Sequence, residues 1–392
     1  MNNSFVSQLN SLASAYGVSD RVRFYGENAA GVAVKVAPFA RVAVLYSARS
    51  FESFGKGLTA TLKKAGIKPL NFIMPSYVTV KLENVLDVVG VPEDVRAVMC
   101  SDRALLPVAA YLATVFNIPV VYNMRSLNAD GVIPAKIPFS FGVAGAETVA
   151  VNCVYHIAVD FENLSDEDIA DGFLSLVAKR VALSDYRTKI KILNKKAKKT
   201  LCDEIKGATD AVKSFTKSNA KEIAFSGLKT ELADFAMGGE ITYNSALYSF
   251  KLLTGFAEDD GRYFAFLQKL TALYLLCAEN QDMPFDLPDY NARTKSLATL
   301  TGLDDGRFLS GFKSQKKAMA PVDLSAIKVA MKKELAELSS FVEKAEKTYI
   351  DLGGKISEDF SAFICALISC GDLPDTLNFM TVVRESGFLE FD

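Results

Sequence analysis

The chain has 392 residues, with 44 Lys and Arg against 46 Asp and Glu, a formal net charge of −2. That balance excludes a dedicated nucleic-acid binder, which needs a basic excess, and 50% apolar with 23% charged residues excludes a disordered chain. No apolar run reaches the ~18 residues of a membrane span, so no membrane segment is expected. The stretch from Met1 to Gly17 lacks the basic n-region and apolar h-region of a secretory signal, which makes the cytoplasm the expected compartment. Six scattered cysteines, Cys100, Cys153, Cys202, Cys277, Cys365 and Cys370, form no C-x-x-C pair, and buried reduced thiols are expected.

In chain order, Arg41 to Tyr46 is a short β-branched run and predicts a strand, and Phe51 to Ala65 carries apolar residues at helical spacing. Pro69 to Met74 predicts a strand, Val80 to Val89 a helix, Val95 to Cys100 a strand, Leu105 to Phe116 a helix and Ile118 to Tyr122 a strand. Strand and helix alternating at this pace predict a doubly wound parallel sheet, with ligands at the carboxyl ends of its strands. After about Ser165 only helical patterns occur. Asp323 to Tyr349 is the best of them, with Leu324, Ile327, Met331, Leu335, Leu338, Phe341, Ala345 and Tyr349 on one stripe behind an Asp323 N-cap. A further helix is expected from Ser357, ending at Gly371 and Pro374. The expected domains are an α/β domain over 1–164 and an all-helical domain over 165–392.

Three stretches, Asp94 to Ile137, His156 to Tyr186 and Glu222 to Phe250, carry a resemblance that spans most of residues 20–300. In their order and spacing the chain resembles the dehydroquinate synthase-like superfamily, in its iron-containing alcohol dehydrogenase and sn-glycerol-1-phosphate dehydrogenase branch. The resemblance implies a Rossmann-like domain followed by an all-α domain, and a homodimer. It also implies a GGGS loop for the dinucleotide pyrophosphate, but here those positions read Ser101, Asp102, Arg103 and Ala104, and the family's Asp and Lys read Pro107 and Ala110. Glycines would let backbone amides approach a pyrophosphate at a helix N-terminus. Asp102 is instead expected to cap that terminus and to repel a phosphate, by about 4 kcal/mol at ~4 Å in a medium of effective dielectric constant near 20. The loop that faces nicotinamide and substrate in the family reads Met124 to Gly131 here, which makes Asn128 and Asp130 candidate ligand contacts.

The resemblance also implies one divalent metal held by an Asp and two His. The aligned positions hold Ser175, Ile241 and Asp260, and His156 is the only histidine of the chain, so a two-histidine site cannot form. His156, beside Tyr155 in the strand-like run Val151 to Val159, is expected to be a structural, hydrogen-bonded residue. Glu240, Glu258, Asp259 and Asp260 are acids that helix starts attract as dipole complements, with an all-oxygen Mg²⁺ or Mn²⁺ site as the other reading. The basic run Arg187, Lys189, Lys191, Lys195, Lys196, Lys198 and Lys199 lacks interleaved aromatics and is expected to be a solvated helix face.

The expectation is therefore a divergent, metal-free relative of glycerol-1-phosphate and polyol dehydrogenases, inactive or altered in activity, that binds a small polar or phosphorylated ligand in the interdomain cleft. The rival is an active NAD(P)-dependent polyol or glycerol-phosphate dehydrogenase with a non-standard site. No cofactor is expected; if a dinucleotide binds, it binds weakly, and Arg49 after the strand Arg41 to Tyr46 favours NADP over NAD.

Overall fold

The computed structural model describes residues 3–74, 80–81, 90–140, 146–161, 164–192, 196–211, 215–243, 260–279 and 324–357. They fall into two compact units, one of Met1–Asp168 with Ala224–Gly239, the other of Ile169–Ile223 with Glu240–Asp392. The helical stretch 224–239 is thus grouped with the N-terminal unit although it comes after the first helices of the second.

In the first unit the chain runs α1 (Asn3–Ala15), β1 (Val22–Tyr25), α2 (Ala29–Val36), β2 (Arg41–Ser47), α3 (Ala48–Ser50), a π turn (Phe51–Gly55), α4 (Lys56–Lys64) and β3 (Lys68–Met74). It continues through β4 (Val80–Lys81), β5 (Val95–Cys100), a 3₁₀ turn (Arg103–Leu105), α5 (Leu106–Phe116), β6 (Val120–Met124), β7 (Lys136–Ser140), β8 (Ala146–Ala150) and β9 (Tyr155–Val159). Six strands form one sheet in the order β1-β9-β6-β5-β2-β3, and every neighbouring pair is parallel. Central strands of such a sheet are covered on both faces, which is why β2 and β6 read as largely apolar runs, interrupted in β6 by Asn123, and are buried almost throughout. Val42, Val44, Tyr46, Ala97, Met99, Val121 and Ala158 present one face to Ala29, Ala30, Val32 and Ala33 of α2 and Leu62 of α4. The outer edge of β1 is closed by Asn10 of α1, whose amide accepts from Phe24 N at 2.9 Å and donates to Phe24 O at 3.0 Å, as a paired strand would.

Two expectations are corrected here. The helix expected over Phe51 to Ala65 opens with a π turn, because Phe51 and Phe54 both pack edge-on against Tyr46, with ring centroids 5.4 and 6.3 Å away. Gly55 belongs there for a close approach: a Cβ would lie 2.9 Å from the Tyr46 and Phe51 rings. Val80 and Lys81, expected to start a helix, form β4, which pairs parallel with β7 in a small second sheet, β4-β7-β8. The β-branched run Val78-Thr79-Val80 favours a strand, a signal masked in the sequence by the apolar spacing behind it. The rest of that expected helix, the Asp323 cap and the helix expected beyond Ser357 lie outside the described residues.

The second unit is helical in its described residues: α6 (Asp166–Ile192), α7 (Lys199–Asp210), α8 (Ala220–Ala236, whose greater part belongs to the first unit), α9 (Glu240–Tyr243), α10 (Asp260–Glu279) and α11 (Leu324–Asp351). Ser165 and Asp168 start α6 with a reciprocal cap, Ser165 N donating to Asp168 Oδ2 at 2.8 Å and Asp168 N to Ser165 Oγ at 3.1 Å. From 169 to 186 every residue but Asp171 is buried. This central helix therefore buries charge, and the charge must be answered. Arg180, 2% exposed, donates to Ser184 Oγ at 3.1 Å, faces Asp210 Oδ1 of α7 at 3.8 Å and lies 6.0 Å over the Phe341 ring of α11. Burial weakens its hold on its proton, and Asp210 and Glu334 oppose that shift. Arg187, expected in a solvated basic face, instead pairs with Asp203 of α7 at 3.1 Å and Glu334 of α11 at 3.7 Å, whereas Lys196, Lys198 and Lys199 are exposed as expected. α10 and α11 stack Phe264 on Tyr349 with centroids 4.8 Å apart.

Because the Arg180 guanidinium is buried, removing its acid should cost more than removing the pair's cation. Asp210→Ala is expected to lose about 1–3 kcal/mol of stability, and Arg180→Met, which refills the volume with an apolar chain, less than about 1 kcal/mol. Urea midpoints of the two variants check this, and a larger loss in Arg180→Met contradicts it.

Candidate functional site

The connection from β2 leads outward to β3, while that from β5 leads the opposite way to β6. Right-handed crossovers then place the two helices on opposite faces, so a crevice opens at the carboxyl ends of β2 and β5. The residues just beyond those strands are Ala48, Arg49 and Ser50 on one side and Ser101, Asp102 and Arg103 on the other. The sequence places the candidate phosphate loop at this same point.

Neither turn offers free amides in the way a glycine loop would. Ser47 Oγ accepts from Ser50 N at 3.2 Å, and Asp102, with extended backbone, accepts from Ala104 N at 3.3 Å, as expected of a self-capping aspartate. The Cys100 thiol donates to Asp102 O at 2.9 Å; complete burial and then the charge of Asp102 push its pKa up, so it is an inert core thiol. Cys153 and Cys202 are also buried thiols, the Cys153 thiol pushed up to about 11 mainly by burial. Arg103 and Ala104 lie in the 3₁₀ turn, Arg103 half-buried, and Arg49 is exposed. Ser101 and Asp102 stand at the positions where the resemblance implies glycine backbone close to a pyrophosphate.

After β6 the chain passes Arg125, whose guanidinium lies 4.5 Å over the Phe54 ring. Since β5 lies between β6 and β2, this contact reaches across the end of β5. Asn128 is buried and closes an Asx turn, its Oδ1 accepting from Asp130 N at 3.0 Å, and Gly131 N donates to Glu231 Oε2 at 3.1 Å. Asn128 and Asp130 are thus engaged in shaping their own loop.

Two polar atoms at this edge are left over. Ser101 Oγ and Asn123 Oδ1 are buried without a hydrogen-bond partner. Asn123, 6% exposed, is a buried polar residue at this edge that sequence reasoning misses; its signal is a polar side chain in the otherwise apolar run from Ile118 to Met124.

The positions aligned with the family's metal ligands lie in the second unit. Ser175 Oγ donates to Gly172 O of its own helix at 2.7 Å, and Ile241 is fully buried. Lys179 donates to Thr242 Oγ1 at 2.6 Å and Tyr186 to Glu240 Oε2 at 3.2 Å, which holds α6 beside α9 and so brings together the elements that carry Ser175 and Ile241. Asp260 opens α10, and its side chain lies outside the described residues, as do Glu258 and Asp259. A committed hydroxyl and a buried hydrocarbon do not fit a divalent ion.

His156 is structural, as expected. It lies on β9 opposite Arg23 of β1, with Nδ1 2.8 Å from the Tyr25 hydroxyl.

No family model matches the chain, and no curated protein matches its sequence. Solved structures do match its shape. Glycerol dehydrogenase from Schizosaccharomyces pombe superposes at a TM-score of 0.50 with 11% identity, covering 87% of this chain and 94% of its own. A probable glycerol dehydrogenase from Sinorhizobium meliloti 1021 gives 0.51 and 12%, over 82% and 97%. A protein of unknown function from E. coli K-12, YqhD, gives 0.50 and 14%, over 93% and 96%. The chain has the glycerol dehydrogenase fold. Identity this low establishes the fold and leaves function to the residues.

Burial, and then Arg23, lower the His156 pKa from 6.5 to about 4. The unfolded chain therefore takes up this proton first as pH falls. The stability held by neutral His156 is complete above about 6.5 and is lost on descent from there to about 4. His156→Gln should flatten that part of the profile, read as the wild-type minus variant difference in urea midpoint at pH 7, 5.5 and 4.5. A difference that does not vary with pH contradicts it.

Proposed function

We propose that this chain uses a polyol dehydrogenase scaffold without metal-dependent hydride transfer, and that it binds a small polar or phosphorylated ligand at the carboxyl edge of its parallel sheet. One observation carries the reading. Where the resemblance calls for an aspartate and a histidine on the metal, Ser175 is bonded to the Gly172 carbonyl and Ile241 is sealed in the core. A divalent ion polarises an alcohol or carbonyl oxygen for several kcal/mol of transition-state stabilisation, and neither residue supplies a ligand for one. At the sheet edge, Asp102 occupies the helix start with its own carboxylate, which disfavours a pyrophosphate, while Arg103 and Arg125 supply positive charge for a smaller anion.

The second reading, an active NAD(P)-dependent polyol dehydrogenase, draws support from the fold shared with two structures named as glycerol dehydrogenases. Elemental analysis, with calorimetric titration of NAD and NADP, separates the two. The proposal expects no stoichiometric Zn, Fe, Ni or Co, no NAD(P) reduction with glycerol, and weak binding of either dinucleotide. Asp102→Gly is expected to improve dinucleotide affinity by about tenfold, or 1.4 kcal/mol. One transition metal per chain, or tight wild-type binding of NAD or NADP, refutes the proposal.

A further inference from the structure

The two edges of the six-stranded sheet differ. At β1 the outward backbone groups of Phe24 are met by the Asn10 amide, which stands in for a paired strand. At β3, the opposite edge, no such plug occurs among the described residues, and the strand runs for seven residues with Asn71 exposed at its middle and Ile73 55% exposed. A long edge of this kind is a template for another strand, and the residues that usually blunt one stand only at its start, as Lys68 and Pro69.

The backbone decides which groups are on offer. Lys68 N donates to Ala40 O at 2.9 Å, so Lys68 turns its backbone toward β2, and by alternation Leu70, Phe72 and Met74 do the same. Pro69, Asn71 and Ile73 therefore turn theirs outward. The Asn71 side chain is held back on the α4 face, where Nδ2 donates to Thr59 Oγ1 at 3.1 Å, and leaves its backbone clear.

A second copy related by a two-fold axis meets this edge antiparallel. With the axis at Asn71, each Asn71 N–H donates to the other copy's Asn71 carbonyl, and each Ile73 N–H donates to the other copy's Pro69 carbonyl, so all seven residues overlap. The donor that Pro69 lacks falls at the ends of this ladder, where water reaches the Ile73 carbonyl. Side chains agree with the register: Ile73 faces Pro69, Leu70 faces Phe72, and Lys68 faces Met74, so no like charges meet. We infer that β3 is a self-complementary edge through which two copies of this chain join their sheets, antiparallel about a two-fold axis at Asn71. The inference is independent of the ligand reading. Seven residues a side bury less than the ~1,200 Å² at which standard interfaces begin, so the dissociation constant is on the order of 100 µM.

The test uses the full chain at about 200 µM, twice that constant. Asn71→Cys and Ile73→Cys are each oxidised with copper phenanthroline, and the wild type serves as the blank for native thiols. At the axis the two Cα atoms lie about 5.5 Å apart, within disulfide reach, whereas two copies of position 73 lie about 14 Å apart. Asn71→Cys is expected to form a disulfide dimer at least about tenfold faster than Ile73→Cys, a contrast that a dimer through any other surface does not produce. Ile73→Lys, which charges the exposed edge and leaves the ladder to β2 intact, should weaken association in sedimentation equilibrium at least about tenfold with an unchanged urea midpoint. The inference is overturned if Asn71→Cys links no faster than Ile73→Cys, or if Ile73→Lys associates as well as the wild type.

Discussion

Six parallel strands must all end on the same edge, and this constraint organises the first unit. Every strand-to-helix turn that could carry chemistry lies on that edge, and the reversal of strand order at β2 and β5 decides where along it a crevice opens. The burial of β2, β5 and β6 on both faces makes the location hard to move. Site residues can change while the crevice stays, because packing of Val42, Val44, Met99 and Val121 against α2 does not depend on the turns beyond the strand ends.

The sheet was largely legible in the sequence for the same physical reason. Strands buried on both faces carry mostly β-branched and apolar runs, and Arg41 to Tyr46 and Val95 to Cys100, the latter interrupted only by the exposed Arg96, needed no context to be recognised. β1, with its alternation of buried Val22 and Phe24 and outward Arg23, is an edge strand of four residues, too short to stand out. The π turn at Phe51 was not legible, since apolar spacing cannot distinguish a widened turn from a regular one. At the candidate site, the capping role of Asp102 could be read because N-capping is local, a side chain meeting an amide two residues away. Asn123 could not, because its importance depends on what β5 places beside it.

Charge behaves differently in the two units. Along α6 the buried Lys179 and Arg180 are each answered by a named group, Thr242, Ser184 or Asp210, and Arg187 near its end ties α7 and α11 to it. A helix buried on all sides has little amphipathic signal, so these polar contacts and not an apolar stripe specify how its neighbours pack against it. This also explains why the basic run misleads: counted along the sequence it is a patch, but in the fold its first member is spoken for by Asp203 and Glu334.

The contrast between satisfied and unsatisfied groups bears on function. Folding alone favours structures in which buried polar atoms are paired, and a lone one costs about 1–3 kcal/mol. Most of the polar groups along α6 and both caps at the crevice obey this rule. Among the described atoms that break it are Arg180 Nε on α6, Ser101 Oγ just past the end of β5 and Asn123 Oδ1 on β6. A scaffold kept only for its shape would gain stability by replacing Asn123 with an apolar residue, since the surrounding strand positions Val120, Val121 and Met124 are already apolar and buried.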